Sequence, residues 1–175
     1  MNLNSDLILT YPLWDRAETE LIDTKHIFAR LVDIFVIACA IGIQSDKTIT
    51  EYEQSNQART IGRNTISNLA NQDLRDLMDF MLQNAVLTSK TINLSNDERI
   101  RLAFDPEYSL PKLSPAAFLI GFANYGINEI FKKIDSSENI NNIVLVNELN
   151  NYFSSLELKN FDEIFNGITL EELSA

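Results

Sequence analysis

Along this chain the apolar residues recur three and four positions apart, the spacing that gathers them on one side of a helix. In residues 73–87, DLRDLMDFMLQNAVL, Leu74, Leu77, Met78, Met81, Leu82 and Ala85 fall on one face. Acids fill the first two turns, where the helix dipole favours them. Ser95 with Glu98 three residues on is a capping box, and it predicts a short helix over residues 96–104 that DPEYSLPKLSP ends. Ser114 before Pro115 is a further start signal, and the helix it opens, PAAFLIGFANYGINEIFKKI, runs for about 20 residues. A last long helix is predicted over residues 142–156, with Leu145, Leu149, Tyr152, Phe153 and Leu156 turned inward. Residues 157–175 read as a tail with a turn or two of helix at most.

The most apolar stretch is LVDIFVIACAIGIQ, residues 31–44, in which nothing from Ile34 to Ile43 is charged. That uncharged run of ten residues is half the length of about 20 that a bilayer requires, and Arg30, Asp33, Asp46 and Lys47 flank it, so it is not a membrane span. Ile27, Phe28, Leu31, Ile34 and Phe35 at helical spacing, with Asp23 or Thr24 as cap, predict one helix of roughly 18 residues ending at Gly42 in a left-handed cap. A helix apolar on every side must be surrounded by others. It is therefore the expected centre of the core.

Residues 44–72 depart from this pattern: they are polar, contain Gly62, and form either a long polar loop or a weak helix. No Pro- or Gly-rich linker divides the chain and no internal repeat appears. The expected architecture is all-α, a single helical domain over residues 1–175, as a compact bundle of about five to seven helices around a buried central helix.

Composition narrows the class without changing that fold. With 45% hydrophobic and 22% charged residues, the chain has ordinary globular usage. Cys39 is the one cysteine and His26 the one histidine, which rules out a disulfide framework and the common zinc sites; no metal or other cofactor is expected. The first residues, MNLNSDLILTYP, lack the basic start and apolar core of a signal peptide. A cytoplasmic location is expected, and Asn93-Leu94-Ser95 is then a chance sequon. The net charge of −11 comes mainly from residues 1–53, with nine acids against four bases, and residues 113–175, with nine against three. Such a surface repels phosphate backbones. The exception is residues 54–72, which hold Arg59 and Arg63 one helical turn apart and no acid. These two are the candidate nucleic-acid or partner contact; the plainer reading is a polar loop whose arginines pair with nearby carboxylates.

Catalytic patterns are missing from the sequence. It has no phosphate-binding glycine loop, no nucleophile elbow and no triad to build around His26, which is expected in the first turn of the core helix in a partly exposed or capping role. Cys39 is expected to be an inert core thiol. Asp73, Asp76 and Asp79 share a helix, as a magnesium site would require, but acids are common at helix starts and a solvated surface helix is the plainer reading. A nuclease-like pairing of Asp135 with Glu157 and Lys159 would need the last two on a strand edge. Gly121 and Gly126, each costing about 1 kcal/mol in helix propensity, point to close packing or a kink. The backbone that approaches Gly126 belongs either to the core helix or to a partner, and with Asn124 and Tyr125 it forms a candidate packing or interface segment.

Two segments carry a family resemblance. KHIFARLVDIFVIACAIGI and IGFANYGINEI resemble the two marks of the small Dnd-system-associated proteins, which are encoded near bacterial DNA phosphorothioation genes. Phe28, Asp33, Ala38, Ala40 and Gly42 match the first mark. Ala123, Asn124 and Gly126 match the second, a Tyr-Ala-Asn-Gly-Gly run, with Tyr125 displaced and one glycine missing. The resemblance implies a non-enzymatic accessory or adaptor protein of a prokaryotic anti-phage defence or DNA modification–restriction system. Its partners would be larger protein components of that system, or a second copy in a homo-oligomer. The alternative is a small DNA-associated protein using the Arg59 and Arg63 patch.

Overall fold

The computed structural model describes residues 6–67, 72–105, 108–111 and 113–136, and the single positions 147 and 151. The chain divides into two compact units, Met1–Asn139 and Ile140–Ala175. In the second, Asn147 and Asn151 are helical and exposed. The helix expected over residues 142–156 and the tail of residues 157–175 otherwise lie outside the described residues.

The first unit is predominantly helical. It opens with a short strand β1 (Leu7–Leu9) and helix α1 (Leu13–Ala17), which passes into a π-helical stretch over Glu18–Thr24. Helix α2 (Leu31–Ser45) follows, then strand β2 (Arg59–Ile61) and helix α3 (Arg63–Ser67). The remaining elements are α4 (Gln72–Thr88), α5 (Asn96–Phe104) and α6 (Pro115–Ser136). Residues 44–72 are thus neither one loop nor one helix. They contain the end of α2, an extended segment, a strand and a helical turn.

The two strands pair antiparallel, Leu7 opposite Ile61 and Leu9 opposite Arg59, with Leu7 and Leu9 buried and Ile8 turned out. The Arg63 N–H donates to Asp6 Oδ1 at 2.7 Å and the Ser55 N–H to the Thr10 carbonyl at 2.8 Å, which ties both ends of the pair. This small sheet is an addition to the expected all-α fold.

Helix α2 begins later than its periodicity suggests. In the π-helical stretch the Lys25 N–H reaches back five residues to the Glu20 carbonyl, and the Leu21 carbonyl then accepts from both Ile27 and Phe28. His26 turns the chain at φ 52° and its Nδ1 lies 2.8 Å from the Ile22 carbonyl oxygen. His26 therefore closes the preceding helix, and neither Asp23 nor Thr24 caps α2. Arg30, extended at φ −144°, holds that position, and its guanidinium bonds Asp33 in the first turn at 2.6 and 3.1 Å.

At the other end, Gly42 is not the cap. The helix continues to Ser45, and Asp46 takes the left-handed conformation, with Asp46 N–H on the Ile43 carbonyl and Lys47 N–H on the Gly42 carbonyl. That is a Schellman closure in which an aspartate replaces the usual glycine. The Asp46 carboxylate is used as well: it accepts from Ser89 Oγ at 2.6 Å and from the Lys90 N–H at 3.0 Å, fastening the end of α2 to the end of α4.

The core is the antiparallel crossing of α2 and α6. Ile34, Phe35, Ala38, Cys39 and Ile41 of the first meet Leu119, Phe122, Ala123, Ile127 and Ile130 of the second, all buried. Ala40 is exposed, so α2 is enclosed on its inner side and open on a narrow outer flank.

Candidate functional site

The segment Asn124, Tyr125 and Gly126 is built into the centre of the molecule by its two outer members. A Cβ added at Gly126 would overlap the Ala38 carbonyl oxygen and stand 2.7 Å from Ala38 Cα. One added at Gly42 would overlap the Phe122 carbonyl oxygen and stand 2.8 Å from Phe122 Cα. The two glycines are reciprocal notches, one on each helix, four residues from the small or backbone-presenting position that fills the other. The backbone facing Gly126 is that of the core helix.

Asn124 is 1% exposed, and its amide is used at both ends. Trp14 Nε1 donates to its Oδ1 at 2.8 Å, and its Nδ2 donates to the Ile49 carbonyl at 3.1 Å. Ile49 N–H in turn donates to the Gly121 carbonyl at 2.9 Å. One amide thus joins α1, the segment after α2, and α6. Gly121 leaves room for that segment: a Cβ there would lie 3.2 Å from Thr50 Cγ2.

Tyr125 points the other way and is half-buried. The Lys47 ammonium lies 5.5 Å from its ring centroid. Nearby, Tyr11 and Tyr52 meet edge to face at 5.2 Å, and Tyr52 Oη is 3.0 Å from Thr10 Oγ1. Burial pushes the Tyr11 phenol up, and the approach of Lys132 partly offsets this.

Arg59 is engaged. It pairs with Asp15 through Nη2, and its Nε is buried 2.8 Å from Glu18 Oε2 without directing its N–H at that oxygen, so the second attraction is coulombic. Arg63 is exposed, two residues after the end of β2, and the two arginines do not share a helix face because a strand carries the first. A second cluster lies on α1, where Arg16 donates to Glu20 at 2.6 Å and to Asp135 at 2.9 Å and sits 4.2 Å above the Phe131 ring. These contacts raise the Arg16 guanidinium further and hold the Asp135 carboxyl below the usual range.

The other chemical candidates do not gather. Cys39 is fully buried with Sγ 3.7 Å from the Leu119 carbonyl, and burial pushes its thiol far up. Asp73 and Asp76 are exposed and Asp79 half-buried; among the described residues no three metal-ligating side chains converge. Asp135 is held by Arg16, while Glu157 and Lys159 lie outside the described residues.

A further feature lies on the surface of α4 and α5. Leu77 is exposed, although the inner face of α4 was expected to include it; the residues actually buried there are Met78, Met81, Leu82, Ala85 and Val86. Of the large apolar side chains exposed among the described residues, Ile8 belongs to β1, and Leu77, Phe80, Leu87, Ile100 and Phe104 all belong to α4 and α5. Phe104 is 64% and Ile100 52% exposed. The signal was present in the sequence: Phe80 and Leu87 lie off the inner stripe. Beside this hairpin, Ile92, Leu94, Leu110, Pro111 and Leu113 line an open, mostly apolar cavity of about 520 Å³.

Compared with models of protein families, with curated proteins and with solved structures, the chain matches none of them. Among the described residues no helix is long and apolar enough to cross a membrane.

Proposed function

We propose that the protein is a non-enzymatic accessory or adaptor protein of a prokaryotic anti-phage defence or DNA modification–restriction system, acting in the cytoplasm through protein–protein contacts. The observation that carries the contact part of this reading is the concentration of exposed apolar side chains on the α4–α5 hairpin. Scattered single apolar residues need no explanation, but several on one hairpin of an acidic, charged surface suit a docking face. The defence setting rests on the resemblance through Phe28, Asp33, Ala38, Ala40 and Gly42, and through Ala123, Asn124 and Gly126. Most of these are buried, so they serve the fold and leave the contacts to other residues.

The test is co-expression of the tagged protein with the phosphorothioation and restriction proteins of its host. One of them is expected to be retained, and Ile100→Glu with Phe104→Glu to release it. No retention, together with unchanged DNA modification and phage restriction after deletion of the gene, would overturn the reading. The alternative of direct DNA contact through Arg59 and Arg63 has less behind it, because Asp15 and Glu18 already occupy Arg59. Two arginines would also give only a shallow salt dependence, the slope being about −0.9 per neutralised phosphate. The purified protein is expected to show no micromolar DNA binding at physiological salt.

A further inference from the structure

Helix α4 has two apolar faces. The inner one is buried in the core. The outer one is formed by Leu77, Phe80, Asn84 and Leu87, spaced three, four and three residues apart, as in a seam between two helices that wrap around each other. Phe80 is 51%, Leu77 42% and Leu87 37% exposed. We propose that this outer face is the contact between two copies of the chain, packed through antiparallel α4 helices about a two-fold axis that crosses the helix near Leu82.

Two observations select a second copy as the occupant. The spacing of the seam is the same in both directions from position 82, because Leu77 and Leu87 lie equally far on either side of it, as do Phe80 and Asn84. A two-fold axis there sets Leu77 on Leu87 of the second copy at both ends of the seam, the reciprocal pairing of an isologous contact, with Phe80 beside Asn84 of the second copy between them. Charge follows the same symmetry. Asp73 and Asp76 are exposed in the first half of α4, whereas residues 80–90 contain no acid and end in the exposed Lys90. Antiparallel packing brings these acids toward Lys90 of the second copy; parallel packing would set them against themselves.

The inference does not depend on the accessory role, because purified protein alone tests it. Sedimentation equilibrium of the full-length chain over a concentration series should give twice the chain mass, and Phe80→Glu should give the single-chain mass. The arrangement is read separately by oxidising Leu77→Cys and Leu87→Cys proteins, alone and mixed. A disulfide needs Cα atoms within about 7 Å, so antiparallel packing cross-links only the mixture. Cys39, buried, does not compete. Doubled mass lost in Phe80→Glu, with cross-linking confined to the mixture, supports the proposal. A single-chain mass at every concentration overturns it, as does a doubled mass that survives Phe80→Glu in folded protein, or cross-linking of Leu77→Cys with itself. If Phe80→Glu fails to fold, the cysteine mixture decides. Loss of a different protein from the Phe80→Glu variant, with the native chain single, would assign the face to that protein and also overturn the proposal.

Discussion

The crossing of α2 with α6 and the hairpin of α4 with α5 use apolar residues in opposite ways. At the crossing, two glycines remove side chains so that backbones meet, and nearly every large side chain around them is buried. On the hairpin, aromatic and branched side chains are left in water although the same helices also fill the core. Substitution should therefore be felt in folding at the first region and in association at the second. Position on the helix decides which, more than residue type does.

The strongest way to break this contrast is to fill a notch. Gly126→Ala should destabilise by more than the 1–3 kcal/mol typical of overfilled cores, because the obstruction is backbone on a second helix and cannot rotate away. Against a total of about 5–15 kcal/mol, a large fall in Tm or loss of soluble protein is expected. Gly42→Ala should behave alike. Gly121→Ala is the control: its nearest neighbour is a methyl of exposed Thr50, which can move, and Thr48 stands at ordinary contact distance, so the change should be near neutral or gain part of the about 1 kcal/mol of helix propensity. Equal losses at Gly121 and Gly126 would mean that the crossing has no special tightness.

Next in size is Asn124→Ala. It leaves the Trp14 Nε1 donor and the Ile49 carbonyl without their shared partner, at about 1–3 kcal/mol for each group that stays dry. Thermal melts should show a fall of that order, and Trp14 fluorescence should shift as water reaches the indole. An unchanged melt and spectrum would mean that the amide does not join the three elements.

These two regions also mark how far the sequence could be read. Local signals were sufficient for α4, α5 and α6, since periodicity and caps lie within a few residues. The capping box is complete, with Glu98 N–H on Ser95 Oγ at 3.3 Å and Ser95 N–H on Glu98 Oε2 at 2.9 Å. What escaped depends on distant partners. Strands of three residues carry too little alternation to be seen, and β1 meets β2 only across some fifty intervening residues. Gly42 looked like a cap because a glycine after an apolar run usually is one; its use as a notch needs Phe122 from another helix. The spacing of Ala38 and Gly42, four apart, was the available hint, and it becomes informative only beside Gly126. Asn124 stood out as an amide within an apolar helix, although its partners Trp14 and Ile49 could not be inferred.

The hairpin side of the comparison predicts much smaller folding effects. Phe80→Glu and Phe104→Glu should change monomer stability by no more than about 0.5 kcal/mol, the range of surface substitutions. Chemical denaturation at low protein concentration checks this. A loss comparable to Asn124→Ala would show that these rings are structural and would remove the basis for a docking face.

The smallest effects separate the regions by the sign of their response to acid. Asp135, at the end of α6, has its carboxyl held below the usual range by hydrogen bonds from Arg16. Its contribution is therefore fully present above the unfolded value near 4 and is lost as the pH falls through the lower folded value. Asp79, on α4, has its carboxyl raised by partial burial, so the folded chain disfavours its ionised form. That penalty is absent below the unfolded value and complete only above the raised folded one. Asp135→Asn should then lower Tm at neutral pH, and Asp79→Asn should raise it. Each difference should stay below about 1 kcal/mol, because Asp135 is exposed and Asp79 only half-buried. Both should vanish in strong acid, where the native carboxyls are protonated as well. Melts of the two variants and the native chain along a pH series check this. A rise in Tm for both variants would mean that burial, rather than pairing with Arg16, governs both carboxylates.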